Sequence, residues 1–394
     1  MKVLILATEI FARGGIARYT WTLASVLGGL VGPENTHVLA LLKSCHFGAN
    51  PSSFRILDEI SEKPTAVAKA LFSEKALRLA ARRYDLIICS HVALAPIGGL
   101  IRGFFGTPFW VACHDAEVWD RLSLPKLAGL KRAQLALPVS QFTAKKVSEV
   151  NGFPHERVRV VYNAIPTAFA ETLLCWNGRS SLCLERKRPE RVLLSVGSLA
   201  RAHAYKGFDT VVRSLPLLLE EIPNLRYTIV GEGDDRTRLE GLARQVGIRD
   251  KVTFAGRLSD LELAACYHAC DVFVLPSRAA KTNGRWHGEG FGRVYVEAAL
   301  AGKPVVGSYQ GGAAEAAMHA VTGFLVDPTS AEALARATLQ LLQNEQLARR
   351  MGEAGRRWAA ERFTEEAMHK SLADLLNASE DGPAKALATP REGA

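Results

Sequence analysis

The stretch Asn283–Glu315, NGRWHGEGFGRVYVEAALAGKPVVGSYQGGAAE, decides the predicted fold. It opens with a polar, glycine-broken loop and continues through Glu289–Gly292 into a short apolar-faced helix, and a buried strand follows Pro304. Glycines ahead of a helix leave backbone N–H groups uncovered, and the helix dipole makes that end attractive to phosphate. Glu289 precedes this anion site. Glu297 lies about five residues into the helix, or about 7 Å along its axis from Gly292 at 1.5 Å per residue. A carboxylate on each side of a phosphate cradle fits a nucleotide sugar, which carries hydroxyls at both ends and phosphates between them.

The two glutamates, with seven residues between them, resemble the E-x7-E signature of retaining GT-B glycosyltransferases, in particular the GT4 family. The similarity extends well beyond the two acids, through EGFGRVYVEAALAGKPVV (289–306) and GGAAEAAMHAVTGFLVDP (311–328). Within that family the stretch is most similar to the mannosyltransferase-like branch. The resemblance implies an α/β chain of the GT-B type, in which two Rossmann-like domains with parallel sheets face a central cleft.

Two domains are also the default for a chain of 394 residues, which is long for one core. In the first domain Val158–Tyr162 is expected to be the last strand, and in the second Ala331–Phe363 is expected to be a long helical stretch. The predicted segments are an acceptor-side Rossmann-like domain (1–168), a linker (169–190), a nucleotide-sugar donor domain (191–360), a helical segment that crosses back to the first domain (361–376) and a disordered tail (377–394).

The resemblance implies a catalytic set of three residues, His114, Lys206 and Glu289. His114 ends a predicted strand, and ligands of open parallel sheets bind at such strand ends. A histidine at the matching place in GT4 enzymes contacts the sugar or phosphate side of the donor. Lys206 opens a helix with the glycine that follows it and matches the lysine that binds the donor diphosphate. Glu289 is implied to hold hydroxyls of the transferred sugar.

Further residues are implied to meet the phosphates, the ribose or the base of the donor. The arginine that family members place directly after a glycine is Ser198 here, and Arg201 is proposed to substitute for it. Gly15 lies in a glycine turn before a helix and is implied to approach the phosphate, whereas Glu297 is implied to meet the ribose. The donor-binding set is Gly15, Arg201, Lys206, Gly256, Arg257, Gly290, Phe291, Gly292, Val294 and Glu297.

No metal or other cofactor is expected, and the nucleotide-diphosphate sugar is the donor substrate. The acidic pair Asp234-Asp235 precedes a predicted helix and is interpreted as a polar turn, because the resemblance implies no essential metal. Cys266, His268 and Cys270 stand at helical spacing before a strand and are interpreted as packing residues. The branch resemblance favours GDP-mannose slightly over UDP-linked sugars.

The net charge of +9 is concentrated in the first half of the chain. Residues 1–180 hold 21 Lys and Arg against 13 Asp and Glu, whereas residues 181–394 hold 28 against 27. A basic acceptor domain could bind anionic lipid headgroups or a diphosphate-linked acceptor, and the helical stretch Thr65–Arg83 is the predicted contact with the membrane. The alternative is that these basic residues form a solvated helix face. Nothing in this half resembles a nucleic-acid motif, so no nucleic-acid partner is expected.

Cysteine usage and hydropathy predict a cytoplasmic protein, at the inner face of the cytoplasmic membrane if the basic domain binds lipid. The seven cysteines have no regular spacing, which is typical of a reducing compartment. The opening apolar run Val3–Thr8 is short and predicts a first strand, Val3–Ala7, rather than a signal peptide. No apolar run reaches the roughly 20 residues that a spanning helix needs.

The predicted function is a retaining glycosyltransferase that moves a hexose from a nucleotide sugar to a saccharide or lipid-linked saccharide, in polysaccharide or glycolipid assembly. Cations and N–H groups would stabilise the leaving diphosphate. No protein nucleophile stands out, and the resemblance implies front-face substitution. Two alternatives stay open: a nucleotide-sugar 2-epimerase on the same fold, which needs further acid/base residues, and a non-catalytic sugar-nucleotide-binding protein. Measured turnover, as opposed to binding alone, separates these functions.

Overall fold

The computed structural model describes residues 1–11, 14–43, 52–176 and 190–380, which form two α/β domains with a cleft between them. The strands are β1 (Val3–Ala7), β2 (Thr36–Leu42), β3 (Arg55–Ser61), β4 (Leu86–Cys89), β5 (Phe109–Cys113), β6 (Leu135–Pro138), β7 (Arg191–Val196), β8 (Leu225–Val230), β9 (Val252–Gly256), β10 (Val272–Val274), β11 (Ala280–Thr282), β12 (Arg285–His287), β13 (Val305–Ser308) and β14 (Gly323–Val326). The helices are α1 (Gly15–Val31), α2 (Ala66–Ala80), α3 (Ala95–Phe105), α4 (Leu124–Arg132), α5 (Gln141–Asn151), α6 (Thr167–Leu174), α7 (Phe208–Glu221), α8 (Arg236–Gln245), α9 (Asp260–Ala269), α10 (Arg293–Leu300), α11 (Ala331–Gln343), α12 (Glu345–Arg362) and α13 (Glu365–Glu380).

Both main sheets are parallel and have six strands with the same connectivity. The first has the order β3-β2-β1-β4-β5-β6, and the second has the order β14-β13-β10-β7-β8-β9. Read from the central strand of each sheet, this is the doubly wound order of Rossmann domains. Strands covered by helices on both faces consist of continuous apolar runs, and all five residues of β1 are buried. The predicted α/β architecture with two Rossmann-like parallel sheets is confirmed.

The third sheet is a hairpin that the sequence did not predict. The polar segment before Glu289 was interpreted as a loop, but β11 and β12 pair antiparallel around Asn283 and Gly284. These two residues have φ values of 51° and 76°, and positive φ at both central positions defines the type I′ turn of tight hairpins. The hairpin reaches the first domain, because the backbone N–H of Trp286 donates to Asp120 at 2.8 Å.

The end of the described chain packs on the first domain. The N–H of Ile165 donates to the carbonyl of Phe363 at 2.8 Å, and α13 then lies along α1. The helix runs to Glu380, so residues 377–380 of the predicted disordered tail are helical; buried Leu372 and Leu376 hold this last part of the helix against the core. Residues 381–394 lie outside the described residues.

Three other boundaries differ from the prediction. The predicted linker begins inside α6, whose Phe169 and Leu173 are buried, and its residues 177–189 lie outside the described residues. Residues 158–162 form no regular strand, although the N–H groups of Arg159 and Val161 donate to the carbonyls of Ala136 and Pro138 in β6 at 2.9 and 3.0 Å. The long helical stretch breaks at Asn344, whose side chain accepts the N–H of Leu347 at 2.9 Å and so begins a new helix.

Candidate active site

An ion pair between Lys206 and Glu289 lies at the centre of the site. Lys206 ends a 3-10 turn (Arg201–Lys206) that Gly207 closes with a φ of 82°, and Glu289 lies between β12 and α10. The Lys206 Nζ lies 2.5 Å from the Glu289 Oε2, and the two side chains are only 11% and 18% exposed. The structure therefore brings together two residues that are 83 positions apart in the chain and that the sequence placed in one site.

The segment that carries Glu289 lies against the first domain. A Cβ atom on Gly290 would fall 2.1 Å from the carbonyl oxygen of His114, so only glycine allows this approach. Gly292, with a φ of 87°, is the N-cap of α10 and leaves the first N–H groups of that eight-residue helix without a side-chain cap. Residues 290–294, where the sequence predicts the phosphate cradle, thus offer uncapped N–H groups next to the end of β5.

His114 is buried, and one ring nitrogen is already engaged. Its Nε2 lies 2.7 Å from the carbonyl oxygen of Ser90, so this nitrogen carries the proton and donates. The Tyr19 ring packs nearly perpendicular to the His114 ring, with the two ring centroids 4.9 Å apart. Burial lowers the pKa of His114, which favours the neutral ring. The Nδ1 atom then holds a lone pair, and a donor hydroxyl would have to meet that nitrogen.

Asp115 is a site residue to which the sequence assigned no role. Burial, followed by the nearby carboxylates of Glu117 and Glu289, raises the pKa of Asp115 well above its usual range. The Glu117 carboxylate accepts the backbone N–H groups of His114 and Asp115 at 2.7 and 2.8 Å, which fixes this turn. The sequence signal that could have identified Asp115 is its place at the end of β5, directly after His114 and close to a second acid, Glu117. Such a carboxyl can hold a proton beside the pair of Lys206 and Glu289.

Two aromatic residues in the turn before Lys206 also belong to the site and had no sequence signal. The Nδ1 atom of His203 is buried and has no hydrogen-bond partner within the described residues. Burial and the neighbouring Lys206 lower the pKa of His203. The Tyr205 ring centroid lies 5.6 Å from the Lys206 Nζ, and burial raises the pKa of Tyr205. Both residues fall in RAHAYK, where no periodicity marks an inward-facing position.

Arg201 is not brought into this cluster. Its backbone N–H donates to Asp234 at 2.8 Å, its side chain is exposed, and it forms no hydrogen bond or ion pair with another described side chain. Its role in binding the donor diphosphate therefore stays a prediction. In that role the Arg201 side chain would have to turn toward Lys206.

Glu297, which is implied to meet the ribose, is buried and already has two side-chain partners. It is 3% exposed, its Oε2 accepts the Tyr267 hydroxyl at 2.8 Å, and its Oε1 lies 3.7 Å from the Arg293 guanidinium. Burial lowers the pKa of Arg293, whose guanidinium nitrogens find no hydrogen-bond acceptor within the described residues. A ribose that reached Glu297 would share its carboxylate with these two neighbours.

The interdomain cleft contains a cavity of about 870 Å³, and one residue of its lining, Gly197, has its Cβ position 2.9 Å from the Lys206 side chain. An ion pair of 3.2 Å between Arg18 and Asp260 spans it. Gly15, at the start of α1, has open space around its Cβ position, as does Gly256 at the end of β9, where φ is 70°. Residues from both domains line the cavity, among them Phe11, Arg18, Trp21, Ser198, Arg257 and Asp260.

Two of the expected donor residues have structural roles of their own. The Phe291 side chain is buried against Tyr162 and Phe363, with ring centroids 5.4 and 5.0 Å away, so only its backbone can face a ligand. The carbonyl of Val294 accepts the Tyr267 hydroxyl at 3.4 Å.

The described residues contain no group of three or more His, Cys, Asp or Glu arranged to hold a metal ion. Within the same ranges, every helix is too short or too polar to cross a membrane.

Family models match both domains. Residues 13–169 match the glycosyltransferase family 4 model and residues 184–358 match the model of the glycosyl transferases group 1, so that together they cover most of the chain. These matches confirm the family that the E-x7-E resemblance indicated.

Two relatives show how far the sequence similarity extends. A GDP-mannose-dependent alpha-(1-6)-phosphatidylinositol monomannoside mannosyltransferase of Mycobacterium tuberculosis is 36% identical over 182 residues, which are 46% of this chain and 47% of the relative. An uncharacterized glycosyltransferase of Methanocaldococcus jannaschii is 30% identical over 267 residues, 64% of this chain and 65% of the relative. The chain thus spans about half to two thirds of the length of these relatives.

Solved structures of glycosyltransferases share the fold over nearly all of the chain. HepE of Anabaena in complex with UDP has a TM-score of 0.74 and 21% identity, covering 96% of this chain and all of that one. Sucrose-phosphate synthase of Thermosynechococcus elongatus has a TM-score of 0.75 and 22% identity, covering 97% of this chain and all of that one. The predicted GT-B fold is confirmed.

Proposed function

Because the chain belongs to the group 1 and family 4 glycosyltransferases, we propose that it transfers a hexose from a nucleotide-diphosphate sugar to a saccharide or lipid-linked saccharide, with retention of configuration. The observation that carries this proposal is the nearly buried pair of Lys206 and Glu289, in which Glu289 stands three residues before the α10 N-cap and next to Gly290, which meets the His114 carbonyl. A cation, free helix N–H groups and a carboxylate that converge on a cleft suit an anionic leaving group attached to a polyol.

The chemistry required of the site is stabilisation of the departing diphosphate. Lys206 and the first amides of α10 would take up the charge that develops on the phosphate oxygens. Donor binding would give Lys206 a phosphate partner in place of Glu289, whose carboxylate then accepts hydroxyls of the sugar. Asp115, with its raised pKa, would stand beside that sugar as a group able to exchange a proton. Arg257 lines the cleft, and Gly15 and Gly256, which have open space at their Cβ positions, are proposed to approach the phosphate and the base.

We propose GDP-mannose as the donor, because relatives that match about half of the chain at 35 to 36% identity are named GDP-mannose-dependent mannosyltransferases. In a thermal-shift panel, GDP and GDP-mannose are expected to raise the melting temperature more than UDP, ADP and their sugars. A ligand at about 100 times its Kd adds about 2.7 kcal/mol to the free energy of unfolding, which is readily measured. A UDP-selective shift would overturn the choice of nucleotide, and no shift with any nucleotide would contradict the proposed function. The anomeric configuration of the product, read by NMR, checks retention.

We propose that the acceptor is presented at a membrane surface, and one face of the first domain supports this. Helices α2, α3 and α4 cover the same side of the first sheet and bury their inner residues in one core cluster. Phe72 and Leu79, which fall within the predicted contact Thr65–Arg83, belong to that core and are 1% and 9% exposed. The outward apolar residues are 44 to 79% exposed; they are Val67, Leu71, Leu100, Phe104, Phe105 and Leu124.

Co-sedimentation with liposomes tests this membrane contact. The protein is expected to bind anionic vesicles, to bind neutral ones less, and to dissociate as salt rises, because each basic residue near such a surface contributes about 1 kcal/mol. Replacement of Arg78, Arg82 and Arg83 by Ser, or of Phe104 by Ser, should weaken binding.

A charge-matched control removes three exposed arginines from α12 of the second domain, Arg349, Arg350 and Arg357, and should leave vesicle binding unchanged. Equal recovery in the supernatant whatever the lipid charge would show that the acceptor is met in solution.

A further inference from the structure

The two domains are joined by a contact that the donor chemistry does not use. Glu315 lies in the short turn Gly311–Ala316 of the second domain. Its carboxylate accepts the backbone N–H of Gln141 at 2.7 Å through Oε2 and that of Phe142 at 2.7 Å through Oε1. Both donors are at the start of α5 in the first domain, and the Tyr162 hydroxyl is a third, longer partner at 3.5 Å.

The start of α5 is completed by this carboxylate from the other domain. The first N–H groups of any helix lack partners within the helix, and its dipole favours an anion there. The N-cap Ser140 accepts one of them, the N–H of Thr143, at 3.1 Å. Glu315 accepts the two N–H groups before it, so the side chains of two domains share the capping of one helix.

The same turn is fixed to the segment that carries the catalytic glutamate. The N–H of Gly312 donates to the carbonyl of Glu289 at 3.0 Å. A Cβ atom on Gly312 would lie 1.8 Å from the Gly290 carbonyl oxygen and 2.9 Å from the Ser140 hydroxyl. The turn therefore lies between the Glu289 segment on one side and the start of α5 on the other, in contact with both.

We propose that Glu315 is a positioning residue: its bond to the α5 N-terminus holds the Glu289 segment against His114, in the arrangement in which the two domains can act on one donor. It acts through Gly312 and Glu289 and does not itself touch substrate. This role rests on the proposed glycosyl transfer. The two sides of the contact can be altered separately, because Glu315 supplies its side chain and Gln141 supplies its backbone N–H, whereas the Gln141 side chain bonds to Tyr162.

Glu315→Gln removes the charge and leaves one acceptor oxygen where there were two. At saturating donor and acceptor we expect kcat to fall by about tenfold or more, with nucleotide affinity within about threefold of the wild type, because the nucleotide contacts of the second domain stay in place. Small-angle scattering of the ligand-free protein should show a larger radius of gyration, since the domains are no longer held together at this point.

Gln141→Pro alters the other side of the contact. Position 141 is the first residue of α5, where proline is well tolerated, and Ser140 is already extended, with φ −159° and ψ 160°. The substitution deletes the N–H that Glu315 accepts, so it should reproduce the effect of Glu315→Gln, and the double variant should be no worse than the more impaired single one. Gln141→Ala keeps the N–H and should behave as wild type.

Glu345→Gln is the matched control in the second domain, because it breaks an ion pair of 2.6 Å with Arg191 that does not reach the first domain. It should change neither kcat nor the radius of gyration. Additive effects of Glu315→Gln and Gln141→Pro, unchanged kcat and scattering in either, or a loss of nucleotide affinity in proportion to kcat would each overturn the positioning role. If the wild type transfers no sugar, the proposed function fails, and the scattering of the same variants still decides whether the contact holds the domains together.

Discussion

Alanine in place of either Lys206 or Glu289 is expected to lower turnover at least about a hundredfold, since loss of one group that stabilises a leaving anion commonly costs a few kcal/mol in the transition state. The two side chains form a nearly buried ion pair, so each substitution also leaves its former partner without a counter-charge. Turnover is measured with the donor that the thermal-shift panel selects, and circular dichroism checks that the fold is kept.

The double variant separates a joint role from two independent ones. If both residues act on the same diphosphate sugar, their combined loss should be much smaller than the product of the single losses. Arg349→Ala is the control, because it breaks an exposed pair of 2.8 Å with Glu353 in the same domain and should leave turnover unchanged. Unaltered kinetics in either single variant would remove that residue from the site.

Gly290→Ala is expected to reduce kcat by a similar factor, about a hundredfold, through backbone geometry and without any change of charge. The new methyl group would fall 2.1 Å from the His114 carbonyl oxygen and 2.9 Å from the Asp115 Cβ. Since a backbone carbonyl cannot give way as a flexible side chain does, the Glu289 segment has to move off the first domain. The pair of Lys206 and Glu289 would then move relative to His114, while the second domain remains folded.

Gly241→Ala is the matched control for this substitution. It lies inside α8, has no atom within 4 Å of its Cβ position, and should be neutral or slightly stabilising, because alanine favours helices. Thermal unfolding and kcat are compared for both variants. Full activity of Gly290→Ala would mean that the close approach at His114 is not needed during turnover.

Much of the architecture could be predicted from local patterns. Continuous apolar runs such as VLILA mark strands that are covered on both faces, and the observed bounds of β1 match the prediction. Helix boundaries were hardest to predict where a capping hydrogen bond, and not the apolar spacing, decides where a helix ends. The regular Leu and Ala spacing on both sides of Asn344 conceals a helix break, which depends on one side-chain hydrogen bond.

The site was predictable only where residue type and spacing are themselves the signal. Glu289 and Lys206 follow from a family pattern, and the structure places them together. His203 and Tyr205 face the pair because a 3-10 turn rotates them inward, and no sequence period reports that rotation. The partner of Glu315 is the backbone of a helix 174 residues earlier, which no side-chain pattern can reveal.

The return of α13 to α1 bears on how such enzymes can be recombined. Buried Met368 and Leu372 lie in the same core as Tyr19 and Leu23, although the second domain separates the two segments along the chain. A chimera that takes its first domain from this protein and its second domain from another must therefore keep α13 with residues 1–166, which end just before α6. A single crossover point after residue 166 would pair α1 with a foreign helix, whereas two crossover points would transplant the first domain with its core complete.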